Sequence, residues 1–292
     1  MRTFRDLYNE VRGLYRQALS SRGGFVFNMQ APIGIFDSGV GGLTVAAAIM
    51  KELPQETFIY YGDTAHAPYG DKSSKSIVHH SETIVQFLEK NKCKAIVIAC
   101  NTASAVAYGT LLRKFPDLLI INVIDPVVHY VAGHAHGRVG IIATRATTQS
   151  RVYLQRLHRF APHLQAIAKA TPLFAPIVEE GFENTDISRG AIREYLCDKE
   201  WQNLDTLILG CTHYPLLQRE IEDFYENKTQ VIDSPRLVAK ALGESLGQNN
   251  LLADRRGAGL RFYFSEKTRA FETIARRFFG ARLSMEEFPL MG

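Results

Sequence analysis

The chain has 292 residues, of which 46% are hydrophobic and 22% are charged, and its formal net charge at pH 7 is +4. This composition is typical of a globular protein long enough for two domains of ordinary size. No window approaches the roughly 18 consecutive apolar residues of a membrane-spanning helix, which excludes a membrane span. The four cysteines form no C-x-x-C pair, which excludes a disulfide scaffold and a zinc knuckle. The basic clusters are mixed with acids, which excludes a nucleic-acid-binding stripe.

The first predicted element is an amphipathic helix within residues 1–28. Apolar side chains recur at helical spacing in "FRDLYNEVRGLYRQA", and "SSRGG" ends the pattern. This N-terminal extension either packs against the first domain or precedes an alternative start at Met29, and a regulatory or membrane-surface helix is the third alternative. The N-terminal residues lack the apolar core of a signal peptide, so we expect a cytoplasmic protein.

The rest of the chain alternates short apolar runs with stretches of helical period, which predicts an α/β fold with mostly parallel sheets flanked by helices. Helices are expected between the strands, for example over residues 75–92 and 188–199. The predicted strands, in chain order, are "PIGIF", "TFIYY", "AIVIA", "LLIINVI", "VGIIA", "TLILG", "TQVI" and "LRFYF".

An internal sequence similarity predicts two similar domains. The cysteine of "AIVIACNTAS" is followed 25 residues later by the aspartate of "VIDP", and the cysteine of "TLILGCTHYP" is followed 22 residues later by the aspartate of "VIDSP". Proline disfavours helix at the residue before it, so the two "VID" segments are expected to be crossover points. The first domain is therefore predicted over residues 29–124 plus 234–292, and the second over residues 125–233, with the active site in the cleft between them.

Polar side chains follow four of the predicted strands, at the edge where ligands bind in open α/β sheets. The segment "GVGGLT" resembles a dinucleotide fingerprint, but Thr44 stands where the third glycine belongs. A tight turn that leaves backbone N–H groups free for a carboxylate explains the same glycines. The four polar segments are "FDSGVGG" (Asp37, Ser38), "YYGDTAHAPYG" (Asp63, Tyr69, Gly70), "IACNTAS" (Cys100, Asn101, Thr102) and "LGCTHYP" (Cys211, Thr212, His213).

The cysteines divide into two kinds. Cys93 and Cys197 are expected to be buried, inert thiols, whereas Cys100 and Cys211 each end a strand, and for them both a reactive and a structural role stay open. No further ligands stand at zinc-like spacing from His213, so an acid–base role beside Cys211 is favoured over a metal site. Two thiols in two similar halves suit a reaction in which one removes a proton and the other delivers one to the opposite face, with no cofactor and no metal.

Six ordered blocks between about Pro32 and Gly280 resemble the glutamate racemases of the cofactor-independent aspartate/glutamate racemase superfamily. The blocks are "IGIFDSGVGGLTV", "YYGDTAHAPYG", "IVIACNTASA", "FAPIVEEG", "LILGCTHYPLL" and "VIDS". The resemblance implies interconversion of L- and D-glutamate, which supplies D-glutamate for peptidoglycan.

The resemblance also implies roles for individual residues. Cys100 would take the α-proton from D-glutamate with help from Asp37. Cys211 would take it from L-glutamate with help from His213 and Glu179. The implied substrate contacts are Asp37, Ser38, Tyr69, Gly70, Asn101, Thr102, Thr144, Thr147, Thr212 and His213.

Some features depart from the family pattern or leave alternatives open. Ala143 stands where glycine is usual, next to Thr144, and the matched blocks contain no arginine clamp for the glutamate side chain. A racemase of another acidic amino acid such as aspartate, a thiol hydrolase using Cys211 and His213, and a two-lobed amino-acid-binding protein are the alternatives. A homodimer, and activation by a muramyl nucleotide through residues 1–28, are further hypotheses.

Overall fold

The computed structural model describes residues 28–279 and 285–290. The helix predicted for the first 28 residues falls outside this part of the chain, apart from Asn28. Helices and strands are numbered below within the described residues.

The first sheet contains six strands of the described chain, and every neighbouring pair is parallel. In spatial order the strands are β10 (Met285–Glu287), β9 (Leu260–Phe264), β2 (Phe58–Gly62), β1 (Ile33–Asp37), β3 (Ala95–Ile98) and β4 (Leu119–Asn122).

The second sheet contains four strands of the described chain, again all parallel. In spatial order they are β6 (Gln165–Ala170), β5 (Arg138–Ala143), β7 (Thr206–Gly210) and β8 (Gln230–Ile232).

Helices connect the parallel strands, as parallel pairing requires. Those that accompany the first sheet in sequence are α1 (Leu43–Glu52), α2 (Ser74–Lys90), α3 (Asn101–Val106), α4 (Tyr108–Lys114), α11 (Pro235–Gln248) and α12 (Arg269–Phe279). The others are α5 (Ile124–His134), α6 (Arg145–Ser150), α7 (Val152–Phe160), α8 (Phe174–Glu179), α9 (Asp186–Leu196) and α10 (Gln218–Phe224), with short 3₁₀ helices at Thr64–His66, Tyr69–Asp71, Lys199–Trp201 and Tyr214–Leu217.

The central strands are buried along their whole length because both faces of each sheet are covered. Every residue of β1, β2, β3 and β7 is buried. Helix α2 begins where the Ser73 hydroxyl accepts a hydrogen bond from the Ser76 backbone N–H at 3.2 Å. The face that it buries carries the four apolar residues that helical spacing predicts, Ile77, Ile84, Val85 and Leu88.

The prediction of an α/β fold with parallel sheets flanked by helices is confirmed, and all eight predicted runs contain strands. Two strands were not predicted, β6 and β10. Both lie at a sheet edge and have half-exposed or exposed residues, so neither contains the apolar run that marks the buried strands. The domain boundaries remain a prediction.

The segment around Asp125 differs from the expectation. The run "LLIINVI" is not all strand, because β4 ends at Asn122 and helix α5 already includes Asp125 and Pro126. The Asn122 side-chain oxygen accepts hydrogen bonds from the backbone N–H groups of Ile124 and Asp125, each at 2.9 Å, and so begins the helix. Pro126 is tolerated because it falls in the first turn, where its missing N–H has no intrahelical partner to lose.

Two further features complete the fold. Cys93 is buried as expected, but the expectation for Cys197 is wrong: its side chain is exposed, because the residue follows the last turn of α9 at the surface. Among the described residues, no helix combines the length and the apolar character needed to cross a membrane.

Candidate active site

The carboxyl-terminal edges of the two sheets meet at one place, and the predicted site residues lie there. Asp37 ends β1 in the first sheet, and Thr212 follows β7 in the second; the Thr212 hydroxyl donates a hydrogen bond to Asp37 Oδ1 at 3.4 Å. The hydroxyls of Thr102 and Thr144 also meet across the two sheets at 2.9 Å. A small molecule bound here would contact both sheets.

Cys100 stands at the N-terminus of α3, where its sulfur replaces the usual oxygen cap. The Ala103 backbone N–H donates to Sγ at 3.4 Å, and the thiol donates to the Ser38 hydroxyl at 3.5 Å. Burial, and then the nearby Asp37 carboxylate, raise the pKa of the Cys100 thiol from 9.0 to about 12, against the opposing effect of the two hydrogen bonds. Cys100 therefore holds its proton at neutral pH.

Asp37 is completely buried between the two halves of the site. Its Oδ2 accepts a hydrogen bond from the Gly39 backbone N–H at 2.9 Å. Burial raises the pKa of the Asp37 carboxyl, while the charge of His213 and the hydrogen bonds from Gly39, Gly42 and Thr212 act in the other direction. Asp37 thus interacts electrostatically with both Cys100 and His213.

Cys211 faces a second acid–base partner. Its Sγ lies 3.7 Å from Nδ1 of His213, and His213 Nε2 lies 3.0 Å from Oε1 of Glu179. The contact with Glu179 is an ion pair without the alignment of a good hydrogen bond. Burial by itself would lower the pKa of His213, but the Cys211 sulfur and the Glu179 carboxylate outweigh it and raise that pKa well above 6.5. His213 is therefore suited to hold a proton between the two.

The glycines of "GVGGLT" allow the backbone of the first sheet to approach the second. A side chain at Gly41 would overlap the Thr212 hydroxyl and the His213 ring, and one at Gly42 would overlap the Asp37 side chain. The interpretation of this segment as a tight turn rather than a dinucleotide site agrees with these contacts. Gly70 likewise allows a close approach to the second sheet, because a Cβ added at this residue would lie 2.8 Å from the Thr144 side chain.

Three threonine hydroxyls form a cluster beside Cys100. Thr102 Oγ1 lies 2.9 Å from Thr144 Oγ1 and 3.3 Å from Thr147 Oγ1, and Thr144 and Thr147 are 3.0 Å apart. Thr144 also caps helix α6 by accepting from the Thr147 backbone N–H at 3.3 Å. These hydroxyls hydrogen-bond to one another and can each turn toward an anionic ligand.

Tyr153 also lies at the site, although no sequence pattern predicts it. The Tyr153 hydroxyl donates to Asn101 Oδ1 at 2.7 Å, and both side chains are buried. Asn101 Nδ2 is buried and has no hydrogen-bond partner among the described residues. With its oxygen accepting from Tyr153, Asn101 has a free donor at Nδ2. Tyr153 lies on α7 without any motif residue beside it, so only its place in the fold reveals it.

Tyr69 is fully buried at the first-sheet side of the site. Its hydroxyl donates to Asp63 Oδ2 at 2.6 Å. Burial, followed by the charge of Asp63, raises the pKa of Tyr69 far above its ordinary value, so the side chain is a neutral donor. All the predicted site residues thus lie around the junction of the two sheets, and their catalytic and binding roles remain predictions.

The fold and this junction define a class of protein: an α/β protein with two parallel sheets, in which two buried thiols, each with its own acid–base partner, lie where the sheets meet. The sequence profile described as Asp/Glu/Hydantoin racemase matches residues 43–242. This chain belongs to the Asp/Glu/hydantoin racemase family.

Individual relatives agree with the profile. The chain is 40% identical over 253 residues to a glutamate racemase of Geobacter metallireducens. This match covers 86% of this chain and 93% of the relative. The crystal structure of a Francisella tularensis glutamate racemase in complex with D-glutamate superposes on this chain with a TM-score of 0.85. The two sequences are 34% identical, and the match covers 90% of this chain and 99% of the Francisella chain. An Escherichia coli glutamate racemase in complex with L-glutamate and the activator UDP-MurNAc-ala is 28% identical, covers 89% and 99%, and has a TM-score of 0.73.

Proposed function

We propose that this protein is a glutamate racemase, which interconverts L- and D-glutamate without a cofactor and supplies D-glutamate for peptidoglycan. The observation that carries the proposal is the pair of buried thiols, Cys100 from the first sheet and Cys211 from the second, each with its own acid–base partners at one junction. A hydrolase would need one such thiol. The names of the relatives support glutamate as the substrate over aspartate.

In the proposed reaction the two thiols exchange roles. Starting from D-glutamate, the Cys100 thiolate takes the Cα proton, and the Cys211 thiol gives its proton to the opposite face of the carbon. L-Glutamate forms, Cys100 is left as the thiol and Cys211 as the thiolate. Starting from L-glutamate, every transfer is reversed. No electrons are transferred to or from either sulfur, so no oxidant or reductant is involved.

The neighbours of each thiol supply the route for its proton. For Cys100 the partner is the Asp37 carboxylate, with which it interacts electrostatically. Burial raises the pKa of Asp37, which can therefore take up a proton more readily than an exposed aspartate. For Cys211 the partner is His213, whose imidazolium form is favoured by Glu179. Two different partners allow one sulfur to be the base while the other is the acid.

Substrate binding is proposed to use the hydrogen-bond donors at the junction. The unpartnered Asn101 Nδ2 is suited to a carboxylate, because a buried amide donor without a partner is costly and a ligand oxygen would satisfy it. The other proposed contacts are Asp37, Ser38, Tyr69, Gly70, Thr102, Thr144, Thr147, Thr212 and His213.

Circular dichroism of the amino acid tests the function. Either enantiomer of glutamate should lose its signal as the protein converts it to the racemic mixture, while the aspartate enantiomers should change far more slowly. Cys100→Ser and Cys211→Ser should each abolish the conversion. Cys197→Ser is the matched control, because this thiol is exposed at the end of α9, and it should leave the rate unchanged. Full racemisation by either single-thiol variant would contradict the mechanism.

The remaining proposals concern organisation and partners. We propose two domains, residues 29–124 plus 234–292 and residues 125–233. We also propose a cytoplasmic location, where reducing conditions keep both thiols free.

We further propose that the protein forms a homodimer, which light scattering after gel filtration tests. The activator bound to the E. coli relative suggests that a muramyl nucleotide raises the turnover of this chain through residues 1–28, and kinetics of the full chain with and without UDP-MurNAc-ala would show it.

A further inference from the structure

Three side chains of metal-ligand type gather outside the proposed reaction. Asp63 follows β2, His66 lies in the 3₁₀ helix Thr64–His66, and His80 lies on α2. One ligand atom from each comes within 4.8 Å of those of the other two. His80 is 14 residues from His66 in the chain. The fold brings the three together, and no sequence spacing indicates them, so no metal was predicted from the sequence.

The contacts within this cluster are close and ordered. His66 Nδ1 lies 2.8 Å from Asp63 Oδ1. The rings of His66 and His80 stack with their centroids 3.9 Å apart and an interplanar angle of 22°. A cavity of about 210 Å³ opens beside them, and its polar lining includes Asp63, His66 and His80 together with His79 and Thr83. There is room for water molecules next to the ligand atoms.

The charges in the cluster favour a cation. The Asp63 side chain is only 4% exposed, and within the described ranges no Lys or Arg nitrogen lies within 4 Å of it. Burying a carboxylate costs free energy unless it is compensated, and a cation beside Asp63 would add to the hydrogen bond that Asp63 accepts from Tyr69.

We propose that Asp63, His66 and His80 bind a divalent transition-metal ion of the zinc class, and that water in the adjoining cavity completes its coordination. Two imidazoles and a carboxylate with an open position are a ligand set that Zn²⁺ accepts. Ligands about 2.1 Å from a tetrahedral ion are about 3.4 Å from one another. The ligand atoms of the cluster lie within 4.8 Å of one another, so no pair has to approach by more than about 1.4 Å.

The ion would be linked to the proposed active site through Asp63. One oxygen of this carboxylate contacts His66, and the other accepts the hydrogen bond from Tyr69. Gly70, the next residue, packs against Thr144 of the second sheet. An ion held by Asp63 would therefore fix the segment of residues 63–71 against the junction, and by linkage glutamate and the ion would each change the affinity of the other.

The test is isothermal titration of Zn²⁺ into the full-length protein in which Cys100 and Cys211 are both replaced by serine. This background removes the two site thiols as competing ligands. It lacks both proposed catalytic thiols, so the result does not depend on the proposed function. We expect one zinc ion per chain. His80→Phe keeps an aromatic ring for the stack but removes the ligand nitrogen, and it should weaken binding at least tenfold.

Two further variants make the result decisive. His66→Gln should weaken zinc binding to a similar degree, whereas His163→Gln, at an exposed histidine outside the cluster, should leave it unchanged. Zinc should also raise the melting temperature of the parent and not that of His80→Phe, with far-ultraviolet circular dichroism confirming that each variant is folded. No zinc binding by the parent, or binding by His80→Phe or His66→Gln that is as tight as in the parent, would overturn the proposal.

Discussion

Replacing Asp37 with asparagine should make the Cys100 thiol more acidic. The pKa of Cys100 is raised from 9.0 to about 12. Burial is the larger cause of this increase, and the charge of the Asp37 carboxylate is the second cause. At pH 8 a thiol with a pKa of 12 is ionised in about one molecule in 10,000, and one with a pKa of 9 in about one in ten. The thiolate fraction can therefore rise by up to about 1,000-fold, and burial, which asparagine leaves in place, keeps the gain below that limit.

The assay is the rate of alkylation of Cys100 by iodoacetamide as a function of pH, with the modified peptide quantified by mass spectrometry. Both proteins carry Cys211→Ser, so that the two site thiols do not interfere. The midpoint of the Cys100 profile should fall in the Asp37→Asn protein. Cys93 is the internal control, because burial raises its pKa to about 12 with no contribution from Asp37. A Cys100 midpoint near 9 in the parent, or one that does not fall in Asp37→Asn, would refute the reasoning.

Three further predictions follow from single contacts. Tyr153→Phe removes one hydrogen bond from Asn101 and should raise KM for glutamate about two- to tenfold with little change in kcat; an unchanged KM in steady-state kinetics would show that the amide needs no such support. Gly41→Ala forces a methyl group against the His213 ring and should cost about 1–3 kcal/mol in urea unfolding together with most of the activity, and a variant as stable and active as the parent would contradict the close packing. Glu179→Gln should lower the NMR titration midpoint of His213, because burial lowers the pKa of His213 and the Glu179 carboxylate would no longer counteract that effect. Since the folded pKa is raised, the stability that Glu179 contributes should be full below about pH 6.5 and lost as the pH rises through the folded value; a midpoint unaffected by the substitution would remove Glu179 from the relay.

The buried strands and the thiol pair were predictable from the sequence because each is a local signal. A parallel strand covered on both faces is a continuous apolar run, as in β1, β3 and β7, and the residues after such a run fall at the ligand-binding edge. Cys100 and Cys211 both follow such runs, so they could be placed in one site before any contact was known. Glu179 was placed by family resemblance alone.

The features that were missed depend on contacts between distant parts of the chain. Strand β6 is half-exposed at a sheet edge, so its pattern carries no apolar run. Tyr153 acts through Asn101, 52 residues earlier, and His80 reaches His66 only because α2 packs beside the loop after β2. Cys197 was expected in the core on the general preference of cysteine for burial, which does not hold at the end of a surface helix.

The most direct test of the central claim is proton exchange at Cα of glutamate in heavy water. With both thiols reduced, the protein should introduce solvent deuterium at Cα as each enantiomer is converted to the other, seen by NMR as loss of the Cα–H signal alongside the change in optical activity. The product enantiomer formed in the first turnover should carry deuterium, because the second thiol delivers a proton that has exchanged with solvent. Racemisation without deuterium in the product, or no exchange at all by the fully reduced protein, would contradict two-base catalysis by Cys100 and Cys211.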